Sequence, residues 1–244
     1  MHMTIHQLQL QNPSHRLTEQ LLKWVLFNIL SALSFLHDEA KVIHTESDIN
    51  PSNIMFTVSD AYILWDFERA EMNEPSPVKV IDDIRTIYGS RKLGLPKDDL
   101  WGQPVLCEFG ESRMGTHHRG LIQPELYRVT EILFDMEWDS SVDVLNVAVL
   151  IWDLFEKRHL FHAAGENNES SATHHIAEMV AYLGLPSPEY IRRSEVTKNV
   201  FDERRCWKRA GEVDVPLLSL EQSEQALDGE NKERFLKFIR SMLK

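Results

Sequence analysis

Cysteine is scarce in this 244-residue chain: only Cys107 and Cys206 occur, which excludes a disulfide framework and a four-thiolate zinc site and makes a reducing compartment the default. Glycine is scarce too. Its ten copies never fall two apart, so the chain has no Gly-x-Gly loop for a dinucleotide or a nucleotide phosphate. Glycine pairs five apart stand at 89/94, 110/115 and 115/120, but Leu95, Thr116 and Leu121 follow them where a phosphate-cradling loop needs lysine. Positive charge is in deficit, with 26 Lys and Arg against 38 Asp and Glu, and the net charge of -12 disfavours nucleic acid and anionic membranes. A basic partner suits that balance better. Long hydrophobic runs are also lacking: the most apolar stretch, 24–36, is broken by Asn28, Ser31 and Ser34 and falls short of the ~20 residues that span a bilayer. It is expected to be a buried helix. The N-terminal residues show no basic segment followed by an apolar one, so a cytoplasmic or nuclear location is expected.

What is present suits a folded chain with a sizeable core, 43% hydrophobic and 26% charged. Over 18–37, Leu22, Val25, Ile29, Leu33 and Leu36 recur at steps of three and four, and Leu21, Leu26 and Leu30 widen the stripe. That spacing predicts a helix covered on most sides, with Thr18 as its cap. Val42 and Ile43 then lead into the polar stretch HTESDINPSN, and Ile54, Met55 and Phe56 follow as an apolar run of strand length. Residues 57–103 carry Pro75, Pro77 and Pro96 without sustained periodicity and read as an insertion or long loop. A second short strand is predicted over 104–107. Further helices are predicted over 141–155, apolar nearly all round and therefore central, and over 173–183, with Gly184 and Pro186 as its stop. The last runs from 231, with Phe235, Phe238, Ile239 and Leu243 on one face. The expected fold class is mainly α (α+β).

Chemistry-bearing residues cluster in three places. Asp48 stands five before Asn53 on the loop, a step at which an acid can hold a hydroxyl nucleophile and an amide a divalent metal; the same residues also suit turns around Pro51. Glu108-Phe109-Gly110 follows a strand and offers an acid that can reach a metal, an aromatic plug and a hinge glycine. Tyr127-Arg128-Val129-Thr130-Glu131 comes next, and twelve residues after Glu131 lies Asp143, an acid opening the most apolar helix. An acid there is costly to bury unless it is hydrogen-bonded, which points to a structural role.

In this order, the features resemble the C-terminal lobe of a eukaryotic protein kinase. VIHT before the loop, the long insertion, YRVTE and VDVLNVAVLIWDLFEKRHLF look most like the SR-protein kinase branch and its fungal members. The resemblance implies one unit over 1–244, with an insertion at 57–103 and an activation segment at 108–131. It implies a C-lobe with the N-lobe missing, since only 17 residues precede the helix that starts after its Thr18 cap. It further implies ATP and magnesium as cofactors and transfer of the γ-phosphoryl group to serine of a basic, Arg/Ser-rich protein. By resemblance Asp48 is the base, Asn53 and Glu108 hold magnesium, and Phe109 and Gly110 complete the cofactor-binding segment. His44 and Glu131 are then structural, and Asp143 braces the loop from below. A catalytically impaired module that binds basic peptides or a partner kinase is the alternative expectation.

The chain departs from the family pattern at several positions. Glu46 and Ser47 add two residues before Asp48, and Asn50 stands where a loop lysine usually meets the transferring phosphate. Glu108 replaces an aspartate, and Val129 and Thr130 replace Ala-Pro, which predicts a less rigid loop there. Eleven histidines carry no zinc-binding spacing and are expected to be solvated, while Cys107 reads as a core strand residue. Asp135, Glu137 and Asp139 form an acidic cluster that either receives arginines or is a solvated face.

Overall fold

The computed structural model describes residues 3–45, 49–96, 101–156, 158–165, 167 and 169–243. In chain order these form α1 (Ile5–Gln11), α2 (Glu19–Phe35), β1 (Val42–Ile43), β2 (Ile54–Phe56), α3 (Ala61–Asn73), β3 (Val78–Val80) and β4 (Thr86–Tyr88). There follow β5 (Pro104–Leu106), β6 (Arg113–Met114), α4 (Thr130–Leu133), α5 (Ser141–Phe155), α6 (Ala172–Leu183), α7 (Pro188–Ile191), α8 (Leu220–Ser223) and α9 (Gly229–Met242). The strands make three antiparallel pairs, β1 with β6, β2 with β5 and β3 with β4.

Helix α5 is the axis of the core, as its apolar circumference requires: Val147, Ala148, Leu150, Ile151, Trp152 and Leu154 are all fully buried. α2 packs against α5 and β5, and α9 packs against α5. α2 begins at Thr18, whose Oγ1 accepts from the Leu21 amide at 3.3 Å. It continues through a wider π turn, Leu36–Ala40, and stops where Lys41 turns left-handed at φ 53. The combined run Glu19–Ala40 is thereby long and apolar enough, by length and composition, to cross a membrane, which corrects the shorter span expected from 24–36. Its inner face, with Val25, Ile29 and Leu33, lies in the core of this fold. The outer face is less covered than expected: Phe27 and Phe35 are exposed, and Leu22, Leu26, Phe27 and Leu30 line a groove of about 460 Å³ with Phe155 and Phe238. On α9, Ile239 and Leu243 of the predicted face are buried together with Leu236 and Met242, and Phe235 packs on the core, while Phe238 is exposed.

The stretch expected as a long loop over 57–103 contains secondary structure. Asp60 caps α3 by accepting from the Tyr62 amide at 2.9 Å, and the exposed β3–β4 hairpin follows. α3 escaped notice because it buries only Ile63 and so has no apolar stripe to repeat. The stretch ends in a close approach. A Cβ placed on Gly102 falls 1.9 Å from the carbonyl oxygen of Thr57, whose amide donates to Gln103 O at 2.9 Å in continuation of the β2–β5 ladder. Gly102→Ala is therefore expected to lower stability by about 1–3 kcal/mol in urea unfolding; an unchanged midpoint would show that the strands do not meet this closely.

Two histidines, His44 and His175, contradict the solvated expectation outright. His175 on α6 is 1% exposed and packs its ring 5.0 Å from Phe161. Burial, with the nearby Arg128 charge, depresses its pKa from 6.5 to about 4. The unfolded chain then binds a proton below pH 6.5 that the folded chain refuses until about pH 4, so stability falls as pH drops through that window. His175→Phe is expected to flatten this part of a plot of urea midpoint against pH, and a slope identical to wild type would assign it elsewhere.

Candidate active site

Two of the strand pairs are nested. β1 and β2 flank the 44–53 loop, β5 and β6 flank the 107–112 segment, and β1 pairs with β6 while β2 pairs with β5. The two connections are thus held face to face at both ends. Cys107 N donates to Asn53 O at 2.8 Å, and Thr45 Oγ1 to Glu111 O at 2.8 Å. Ser112 Oγ closes the far end by donating to His44 O at 3.1 Å.

Asp143 fixes this pair of loops to the core. Its side chain is 1% exposed, and Oδ2 accepts from the His44 amide at 2.8 Å while Oδ1 accepts from the Thr45 amide at 3.2 Å. His37, on the π turn, supplies a third donor from Nε2 at 2.8 Å. The cost that the sequence attached to an acid in this helix is met by these three donors. His44 carries the connection onward: its ring Nε2 donates to Cys107 O at 3.0 Å, and Phe109 stands edge-on to it with centroids 4.8 Å apart. A half-exposed aromatic is thereby parked on a buried imidazole.

The remaining candidates fall as follows. Asp48 lies outside the described residues. Asn50 serves the turn reading, since its Oδ1 accepts from Ser52 N at 2.7 Å and its carbonyl from Asn53 N at 3.1 Å. Asn53 opens β2 at the end where Cys107 leaves β5, so Asn53 and Glu108 stand at the same end of one ladder. Glu108 is exposed and left-handed at φ 63, a strained conformation for a residue with a Cβ. Cys107 is not the core strand residue expected: it lies partly buried just past the end of β5, where burial and the adjacent Glu108 charge push its thiol up, away from the nucleophilic thiolate.

Glu131 lies on α4, with Thr130 Oγ1 donating to its Oε2 at 3.2 Å and Arg193 Nη1 at 3.9 Å. The segment before it is tied down more firmly than Val129 and Thr130 led one to expect. Val129 is 1% exposed and donates its amide to Gln123 Oε1 at 2.9 Å, and Thr130 Oγ1 meets the Tyr190 hydroxyl at 2.5 Å. Upstream, His118 and Trp138 exchange a pair of backbone hydrogen bonds, each 2.9 Å. The acidic cluster is partly engaged already: Asp139 Oδ1 accepts from Ser141 N at 2.8 Å, and Glu137 lies 3.8 Å from His117.

Sequence reasoning missed Asp153. Its side chain is 8% exposed and accepts from the Tyr127 hydroxyl and from His159 Nδ1, the latter at 2.9 Å. The signal was a second acid in an otherwise apolar helix, ten residues after Asp143. It also missed α1, although Thr4 and Gln7 form a reciprocal capping box that is readable as Thr-x-x-Gln.

No family model matches the chain. A serine/threonine protein kinase of Aspergillus fumigatus is 43% identical over 229 residues, 93% of this chain and 54% of the relative. The dual specificity protein kinase CLK2 of Mus musculus is 24% identical over 74% of this chain and 30% of its own. The serine/threonine-protein kinase SRPK of Physarum polycephalum is 22% identical over 75% of this chain and 46% of its own. A crystal structure of a kinase domain superposes with a TM-score of 0.65 at 17% identity, over 100% of this chain and 66% of that one. The chain thus spans about half the length of the Aspergillus relative it matches.

Proposed function

We propose, for a chain of protein-kinase fold that is similar over 93% of its length to a serine/threonine protein kinase, that the nested loops are a site of phosphoryl transfer from ATP to a serine hydroxyl. The observation that carries this reading is the mutual clamping of the 44–53 and 107–112 segments, with Asp143 bonded to both His44 and Thr45 amides. It is the arrangement a transfer site needs, because such catalysis rests on positioning.

Asp48 would take up the proton of the incoming hydroxyl. Asn53 and Glu108, an amide oxygen and a carboxylate at the same end of one ladder, suit a hard divalent cation that keeps its remaining positions for phosphates and water. When bound, magnesium would supply positive charge that neutralises the phosphates. His44 and Phe109 hold the Glu108 backbone in place: one bonds to the preceding carbonyl and the other packs on that imidazole. Asn50 brings no positive charge to the phosphates. Similarity to the Physarum SRPK supports an Arg/Ser-rich protein as substrate.

The test is nucleotide-dependent stabilisation. At a hundred-fold excess over Kd, Mg-ATP stabilises a folded protein by about 2.7 kcal/mol, a rise of several degrees in Tm, and Glu108→Ala should abolish it. A melting curve unmoved by millimolar Mg-ATP, in a sample folded by circular dichroism, would count decisively against this function.

A further inference from the structure

Far from the nested loops, two acids are buried against each other. Glu156 follows the last residue of α5 and is 4% exposed, and Glu224 follows the last residue of α8 and is 1% exposed. Their carboxyl groups lie within hydrogen-bonding reach of each other. Between them they organise one turn. Glu156 Oε2 accepts from the Gln225 amide at 3.3 Å, and Glu224 Oε1 accepts from the next two amides, Ala226 at 2.7 Å and Leu227 at 2.6 Å. The lead into α9 is thus pinned to the end of α5 by a pair of carboxyl groups.

Each carboxyl keeps one oxygen that these amides do not reach. Among the described residues Glu156 Oε1 accepts no hydrogen bond, and Glu224 Oε2 has only the Lys232 ammonium of α9, 3.2 Å away. The other groups facing the pair bring little to it. Arg16, between α1 and α2, acts on Glu156 through its charge, and its own buried Nε finds no acceptor. Arg158 is spent on the Ser223 carbonyl, and the Tyr182 hydroxyl of α6 meets Ser223 Oγ at 3.0 Å. One close cation therefore serves two buried carboxyls. Two acceptors within reach of each other can bond only through a proton, and two negative charges held there out of water repel. Burial, and after it the Glu224 charge, raises the pKa of Glu156 above its ordinary 4.5 against the pull of the Gln225 amide.

We propose that Glu156 and Glu224 share one proton and form a latch, closed while the proton is held and released as pH rises. The piece released is the 225–227 turn. Leu227 on that turn lines the apolar groove of α2 together with Leu22, Leu26 and Phe155, so opening the latch widens the groove. A group held protonated by the fold contributes stability that is complete below pH 4.5 and is lost as pH rises through its raised folded value. His175 acts in the opposite direction, costing stability as pH falls. The latch needs no nucleotide and is independent of the transfer reading.

Glu156→Gln makes the closed state permanent, because its amide oxygen can still accept from Gln225 N while its NH2 group donates to Glu224. At pH 8 the variant should melt about 2–4 °C above the wild type, and the two curves of Tm against pH should converge towards pH 4.5. Hydrogen exchange at pH 8 should be at least ten-fold slower at the Gln225, Ala226 and Leu227 amides of the variant. In the unmutated protein the carbon-13 shift of the Glu156 carboxyl should titrate with a midpoint above 4.5, a reading that stands even if the variant fails to fold. A folded variant no more stable than the wild type at pH 8 would mean that Lys232 and Arg16 hold two ionised carboxylates, and it overturns the proposal. So does a Glu156 midpoint at or below 4.5, and so does equal exchange at the three amides.

Discussion

Asp143→Ala lowers the free energy of unfolding by about 3–5 kcal/mol, read as a lower urea midpoint and a fall in Tm of roughly 10 °C. The magnitude follows from what the substitution leaves behind. The carboxylate holds two backbone amides and the His37 ring, and alanine can hold none of them. The amides of His44 and Thr45 belong to residues that are 0% and 2% exposed, so water cannot take over without opening the fold. Asp143→Asn should recover part of the loss, since one oxygen can still accept while the new NH2 group must turn towards a donor. A loss below about 1 kcal/mol for the alanine variant, the worth of one ordinary hydrogen bond, would mean that the loops are held by the strand pairs alone. The same variant should weaken the Mg-ATP response, because freeing His44 also frees Cys107 and Phe109.

Asp48→Asn is expected to reduce phosphoryl transfer to an Arg/Ser peptide by about 10²–10⁴-fold, measured with radiolabelled ATP, while leaving the Mg-ATP thermal shift in place. Asparagine keeps the size of the side chain and its hydrogen-bonding to a hydroxyl but cannot take up the proton. The separation of the two readouts matters. Loss of both would make Asp48 a binding residue, and a variant as fast as the wild type would remove it from the chemistry. Glu46, two residues earlier, is the acid that such a result would bring forward.

The helices that bury a continuous face are legible in the amino-acid sequence. α2, α5 and α6 start within a residue or two of where apolar spacing and capping residues put them, because burial imposes a 3.6-residue period on the residue pattern. α3 and the β3–β4 hairpin bury almost nothing, so no such period exists to be found. The site is half legible. The demand that Asp143 be satisfied follows from its place in an apolar helix, but the donors come from residues 99 and 98 positions away and from His37, 106 away. Pairing of that kind leaves no local mark. The nested order of β1, β2, β5 and β6 is hidden for the same reason, since β1 and β6 are two residues each and their register is set by the fold around them. Asp153 is a different case: an acid among apolar neighbours is the same signal that singles out Asp143.

If Glu108 holds the metal as proposed, its left-handed backbone sets folding and function against each other at one position. A residue with a Cβ held at φ 63 costs on the order of 1 kcal/mol or more, and glycine would relieve it. Any laboratory evolution that rewards thermal stability alone should therefore drift towards glycine at 108 and discard the carboxylate early. Lineages kept under selection for the site's chemistry should retain the acid at a standing energetic disadvantage, which makes position 108 a readout of which pressure a population has experienced.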